Sequence, residues 1–117
     1  MVRTALIAFV AGAALACVIA PSVAQNRAVA VTIDNFVFEP ARLTVKAGTT
    51  VTWTNRDDIP HTVASKDRLF KSKAMDTDET YSFTFSTPGE YGYFCSLHPH
   101  MTATIVVEAA TGSSASQ

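Results

Sequence analysis

Two stretches of the 117-residue chain carry side chains able to bind a metal ion. Near the C-terminus, Cys95-Ser96-Leu97-His98-Pro99-His100-Met101 sets a thiolate, an imidazole and a thioether at spacings of three and three. A second imidazole, His61, lies upstream in Thr54-Asn55-Arg56-Asp57-Asp58-Ile59-Pro60-His61-Thr62-Val63. One thiolate, two imidazoles and a weak thioether make a soft, mixed donor set that suits copper in both oxidation states. Structural zinc asks for four strong ligands, and only three stand here. Catalytic zinc needs an open water position with a general base beside it, yet no carboxylate lies between Cys95 and Met101. If Met101 caps the axial position, no coordination position is left for a substrate. That favours electron transfer over oxygen or nitrite chemistry. His100 falls between the ligands and reads as a solvent-facing imidazole that adds a pH-dependent charge.

The cysteine count sharpens this reading once the N-terminus is set aside. Arg3 supplies a short positive region, Ala5–Ala20 an uncharged apolar stretch, and Ser22-Val23-Ala24 a small-x-small cleavage site. Residues 1–24 therefore read as a secretory signal peptide cleaved after Ala24. Sixteen apolar residues before Pro21 are short for a membrane span, which needs about 20. Cys17 invites lipidation, but Ala14-Leu15-Ala16 is a poor lipobox and hydrophobic residues follow it. The remaining 93 residues are about 40% apolar with a net charge of −2. That is enough for one small domain, expected over 25–110, and excludes a multidomain enzyme. No Lys/Arg stripe points to nucleic acid. The exported domain keeps one cysteine, Cys95, where small exported domains often pair theirs. Ligation explains its survival.

These residues must be positioned by strands. Apolar and polar residues alternate through Val29/Val31/Ile33, Leu43/Val45, Val51/Trp53, Tyr81/Phe83/Phe85, Tyr91/Tyr93/Cys95 and Ala103/Ile105/Val107. Period two is the mark of half-buried strands. Tyr91, Tyr93, Phe83 and Phe85 read as core. Lys66–Asp78 is charged and weakly patterned, and reads as a long loop with at most one short strand or turn. Asp57, Asp58, Lys71 and Lys73 read as solvated loop charges, although a docking partner could use them. About seven to eight strands predict an all-β, antiparallel Greek-key β-sandwich, with a small open barrel as the competing architecture. The Gly/Ser-rich tail, residues 111–117, reads as disordered.

With Phe38-Glu39-Pro40, Leu43-Thr44-Val45-Lys46-Ala47-Gly48, Val51-Thr52-Trp53-Thr54-Asn55, Pro60-His61-Thr62-Val63 and Pro88-Gly89-Glu90-Tyr91 added to the ligand loop, the chain resembles the cupredoxins, the blue-copper family. The likeness is closest to the amicyanin/plastocyanin branch and spans roughly residues 28–108. It implies one type 1 copper ion, with His61, Cys95 and His98 in a trigonal plane and Met101 as the long axial ligand. It places Asn55, Pro60, Thr62 and Leu97 around those ligands, and an electron route through His98. Leu97, Pro99 and His100, with Ile59 and Pro60, would form the docking patch, and Phe94 a second route. Two departures stand out. Thr62 occupies a place where the family often has Asn, whose side chain ties the ligand loops together. Leu97 replaces a common Pro and so has an N–H to offer the Cys95 sulfur beside that of Thr62, which would raise the reduction potential.

The resemblance implies a monomeric, non-enzymatic electron carrier in the periplasm, working between a redox donor and acceptor such as an amine dehydrogenase and a c-type cytochrome. Copper storage or delivery is the alternative, but delivery sites are exposed and Met- or His-rich, and only Met75 and Met101 follow the leader. A structural sandwich with an accidental ligand set is the third reading. An oxidase or reductase is disfavoured by size and by the lack of a second metal site.

Overall fold

The computed structural model describes residues 12–14 and 27–110. The predicted leader, Cys17 included, lies outside the described residues apart from 12–14, and so does the tail at 111–117. Eight strands follow: β1 (Ala28–Asp34), β2 (Val37–Glu39), β3 (Arg42–Lys46), β4 (Thr49–Asn55), β5 (Ala64–Ser65), β6 (Thr80–Phe85), β7 (Gly89–Cys95) and β8 (His98–Glu108). The alternation that predicts them is also what packs them. In β4, Thr49, Val51, Trp53 and Asn55 are buried, and the threonines between them are half-exposed.

The strands form two four-stranded sheets, in the orders β2-β1-β4-β6 and β3-β8-β7-β5. The sandwich is the expected fold class, but its sheets are mixed. β1 runs parallel to β4 and β3 parallel to β8, whereas the remaining pairs are antiparallel. Period-two patterning reports which face a strand buries and carries no information about a partner's direction. Between β3 and β4 the chain turns at Gly48, whose φ of +94° favours glycine.

The core gathers around Trp53, which packs against Phe70, Tyr81, Phe85 and Tyr93 with ring centroids 5.4–6.4 Å apart. Phe85 and Tyr93 are fully buried, while Phe83 and Tyr91 lie at the core's margin. Tyr91 donates its hydroxyl to the Thr87 carbonyl at 2.6 Å. The 66–78 loop is more than a connector. It sends Phe70 and Met75 into the core, at 3% and 4% exposure. Backbone bridges Ala64↔Lys71 and His61↔Met75 fold it back along the segment that carries His61. Among the described residues, Trp53 Nε1 and Tyr93 Oη are buried with no well-formed hydrogen bond, although the indole N–H lies near enough to the phenol to favour its ionised form slightly. Burial pushes the Tyr93 phenol up to about 12.

Candidate metal centre

β4 ends at Asn55, which is fully buried and organises the turn beyond it. Its Nδ2 donates to the carbonyls of Ile59 at 2.8 Å and Met75 at 2.9 Å, and its Oδ1 accepts the Asp57 N–H at 2.9 Å. Every polar atom of the side chain is thereby used, as burial demands. The Met75 carbonyl also accepts the His61 N–H at 3.2 Å, and Met75 N–H returns to the His61 carbonyl at 2.8 Å. One asparagine thus fixes both the loop that carries His61 and the segment that backs it.

The other donors arrive from β7 and β8. Cys95 ends β7 just after a register shift at Phe94, and pairs with His98 across the turn Ser96-Leu97. Three residues later, the alternation of β8 buries Met101 beside Ala103 and Ile105. His61 and Cys95 are fully buried and Met101 is 4% exposed, whereas His98 is half-buried and Leu97, Pro99 and His100 are exposed. Phe94 is half-buried and Pro60 exposed.

Donor atoms of His61, Cys95 and His98 all lie within 4.8 Å of one another. The Cys95 sulfur is 3.8 Å from His61 Nδ1 and 3.5 Å from His98 Nδ1. Donors on a common metal at about 2.0–2.3 Å, spread in a trigonal plane, would stand roughly 3.5–4 Å apart. The spacing therefore fits a copper ion held by two nitrogens and a thiolate, the donor set of blue-copper centres.

The sulfur accepts the backbone N–H of Thr62 at 3.3 Å, with the Thr62 hydroxyl at 3.7 Å. Despite its short reach, Thr62 does tie the loops: its Oγ1 accepts the Ser96 N–H at 2.7 Å and hydrogen-bonds Ser96 Oγ at 2.7 Å. Among the described residues the Leu97 N–H makes no hydrogen bond to the sulfur, so the second donor expected from replacing proline is absent. Leu97 therefore gives the thiolate no extra hydrogen bond that would raise the reduction potential. An N–H two residues after Cys95 does not turn toward the sulfur in this tight turn.

Two contributors escaped the sequence reading. Asp57 is no solvated charge. Its side chain is only 11% exposed, and it accepts N–H groups of Asn35 at 2.6 Å and Phe36 at 2.9 Å and meets His61 Nε2 at 2.7 Å. Burial alone would raise its pKa, but these hydrogen bonds outweigh it and hold the carboxyl below the usual value. A carboxylate on the far nitrogen of a ligand histidine fixes its tautomer, leaving Nδ1 free to face a metal. The signal was its place four residues before His61. The second contributor, Phe36, packs its ring against both imidazoles; nothing in its local pattern marked it.

Two facing sheets with two imidazoles and a thiolate gathered at one end define a metal-binding β-sandwich. A family model for the cupredoxin-like domain matches residues 5–107, and the chain belongs to the cupredoxin family. It is 37% identical over 111 residues to amicyanin-alpha of Methylorubrum extorquens, covering 89% of this chain and 93% of that protein. Against amicyanin of Paracoccus versutus it is 38% identical over 86 residues, 69% of this chain and 65% of the relative. Among solved structures, the Cu(I) form of an amicyanin variant superposes with a TM-score of 0.66 at 37% identity, covering 74% of this chain and 87% of that one.

Proposed function

We propose that this protein is a soluble, monomeric blue-copper electron carrier, exported to the periplasm by residues 1–24 and shuttling one electron between redox proteins. The observation that carries the reading is the triangle of Cys95, His61 and His98 donors, with sulfur–nitrogen separations of 3.8 and 3.5 Å. Met101 would supply a fourth, thioether donor, and Asn55 and Thr62 hold the loops that carry the donors. Bound copper would supply a Cu(I)/Cu(II) couple; the chain's part is to keep the donors fixed and dry between the two states.

Electrons pass through His98, the one donor of the three that is not fully buried. Leu97, 52% exposed, with Pro99 and His100 surrounds it as a small docking patch of two apolar side chains and one imidazole, the kind of interface that suits transient partners. Phe94, half-buried in β7, is the lesser route. By family likeness, the donor and acceptor classes are an amine dehydrogenase and a c-type cytochrome. Delivery of copper is disfavoured, because an exchange site needs exposed ligands and here His61, Cys95 and Met101 are buried. Cyclic voltammetry of the copper-loaded protein should give one reversible one-electron wave, and Leu97→Glu should slow oxidation by a c-type cytochrome while leaving that wave in place. An irreversible wave, or rapid surrender of copper to a weak chelator, would favour delivery.

A further inference from the structure

The turn between β1 and β2 carries two consecutive residues with positive φ, Asn35 at 52° and Phe36 at 62°. Two left-handed residues in a row make the hairpin turn that favours Asn-Gly. Asparagine fills the first place as expected. The second, where glycine would be free of strain, holds phenylalanine, a bulky residue for which this backbone is a genuine outlier. Asp57 keeps it there. Its Oδ1 accepts the Asn35 N–H and its Oδ2 the Phe36 N–H, and Oδ2 also contacts His61 Nε2. A strained conformation that the surroundings over-determine points to a role for the side chain it displays.

That side chain lies across the metal centre. The Phe36 ring centroid is 5.3 Å from that of His61 and 5.2 Å from that of His98, with interplanar angles of 89° and 88°. The two imidazoles are themselves 5.0 Å apart, so one ring braces both. Core packing does not account for it, since Phe36 is 48% exposed. It covers the imidazoles on one side and meets solvent on the other.

We propose that Phe36 is a positioning residue, an aromatic lid that holds the two imidazoles at their separation and keeps water from the donor atoms on the β1–β2 side. The proposal rests on the copper reading of the same site. His98 gains most from it, because it is half-exposed and, among the described residues, no carboxylate orients it as Asp57 orients His61. With the lid in place the His98 ring is set before metal arrives, which limits both metal loss and rearrangement between oxidation states.

The test uses the full-length mature protein as wild type, Phe36→Gly, Phe36→Leu and a control, Leu69→Ala, which removes an equally exposed apolar side chain (50%) away from the imidazoles. Glycine adopts this φ without strain, so Phe36→Gly is expected to fold. Two readouts are taken: His98 ring mobility by NMR relaxation in the metal-free protein, and the release of Cu(I) to a chelator. Phe36→Gly should mobilise the His98 ring and speed release at least ~10-fold, the loss typical when an outer partner of a ligand is removed. Phe36→Leu should recover only part of either effect, and Leu69→Ala should change neither. Wild-type mobility and release in Phe36→Gly, full recovery in Phe36→Leu, or an equal effect in Leu69→Ala would each overturn the lid. Failure of the wild type to hold copper would instead sink the copper reading and leave the metal-free ring measurement standing.

Discussion

Replacing the Thr62 hydroxyl with a methyl, in Thr62→Val, preserves the side chain's shape at a position only 5% exposed and deletes one oxygen. That oxygen accepts the Ser96 N–H at 2.7 Å and bonds Ser96 Oγ at the same distance. Ser96 is exposed, so its hydroxyl can turn to water, but its N–H is fixed by the turn and loses its acceptor. Leaving one partly buried donor unpaired costs about 1–2 kcal/mol. For a domain of this size that lowers Tm by roughly 5–10 °C. The assay is urea unfolding of the metal-free protein, followed by fluorescence of Trp53, the single tryptophan; without metal, ligand bonds cannot mask the loss. Thr62→Ser should restore most of the stability. In the Thr62→Val background, Ser96→Ala should cost less than it does alone, a coupling of about 0.5–1 kcal/mol. The backbone N–H of Thr62 still reaches the Cys95 sulfur at 3.3 Å, so loss of the longer 3.7 Å contact from the hydroxyl should shift the metal-bound spectrum only slightly. A Thr62→Val loss below about 0.3 kcal/mol, or full additivity with Ser96→Ala, would refute the idea that this hydroxyl ties the ligand loops.

Asp57→Asn keeps the shape but can no longer accept three N–H groups, so copper affinity should fall about 10- to 100-fold by chelator competition; equal affinity would contradict the orienting role. Asn55→Ala strips three hydrogen bonds, one buried and two part-buried, and should cost at least ~2 kcal/mol in denaturant unfolding, and a loss as small as that of a surface change would show the loop is held otherwise. With the Tyr93 phenol pushed up from 10.0 to about 12, the folded protein holds its proton more tightly than the unfolded chain. Its contribution is therefore fully present below about pH 10 and is lost as pH rises toward 12. Ultraviolet titration should show this phenol ionising late, and Tyr93→Phe should remove that part of the alkaline instability. Since the hydroxyl makes no well-formed hydrogen bond and feels only the nearby Trp53 N–H, Tyr93→Phe should cost less than about 1 kcal/mol at neutral pH, and a larger loss would mean that the hydroxyl is firmly paired.

What the sequence disclosed follows from how far each signal reaches along the chain. β1, β3, β4, β6, β7 and β8 each run five residues or more, long enough for alternation to stand out. β2 and β5 are three and two residues, too short to alternate. Phe70 sat among Lys66, Asp67, Arg68, Lys71 and Lys73, and its charged neighbours hid a core residue. At the candidate metal centre Cys95 and His98 were legible because thiol and imidazole side chains are rare and stand three residues apart, and His61 because it follows the Trp53-x-Asn55 strand. Asp57 and Phe36 were not, since their roles arise only when the β1–β2 turn meets the loop after β4, a contact across some 20 residues. The reach of Thr62 and the orientation of the Leu97 N–H were likewise decided by turn geometry, which residue type does not encode.

The visible absorption spectrum of the Cu(II)-loaded mature protein decides whether the Cys95 thiolate binds the copper. An intense thiolate-to-copper band is expected, bleached by one-electron reduction, restored on reoxidation, and lost in Cys95→Ser. A protein that takes up Cu(II) yet stays colourless, or keeps its band without the Cys95 sulfur, would contradict the blue-copper assignment.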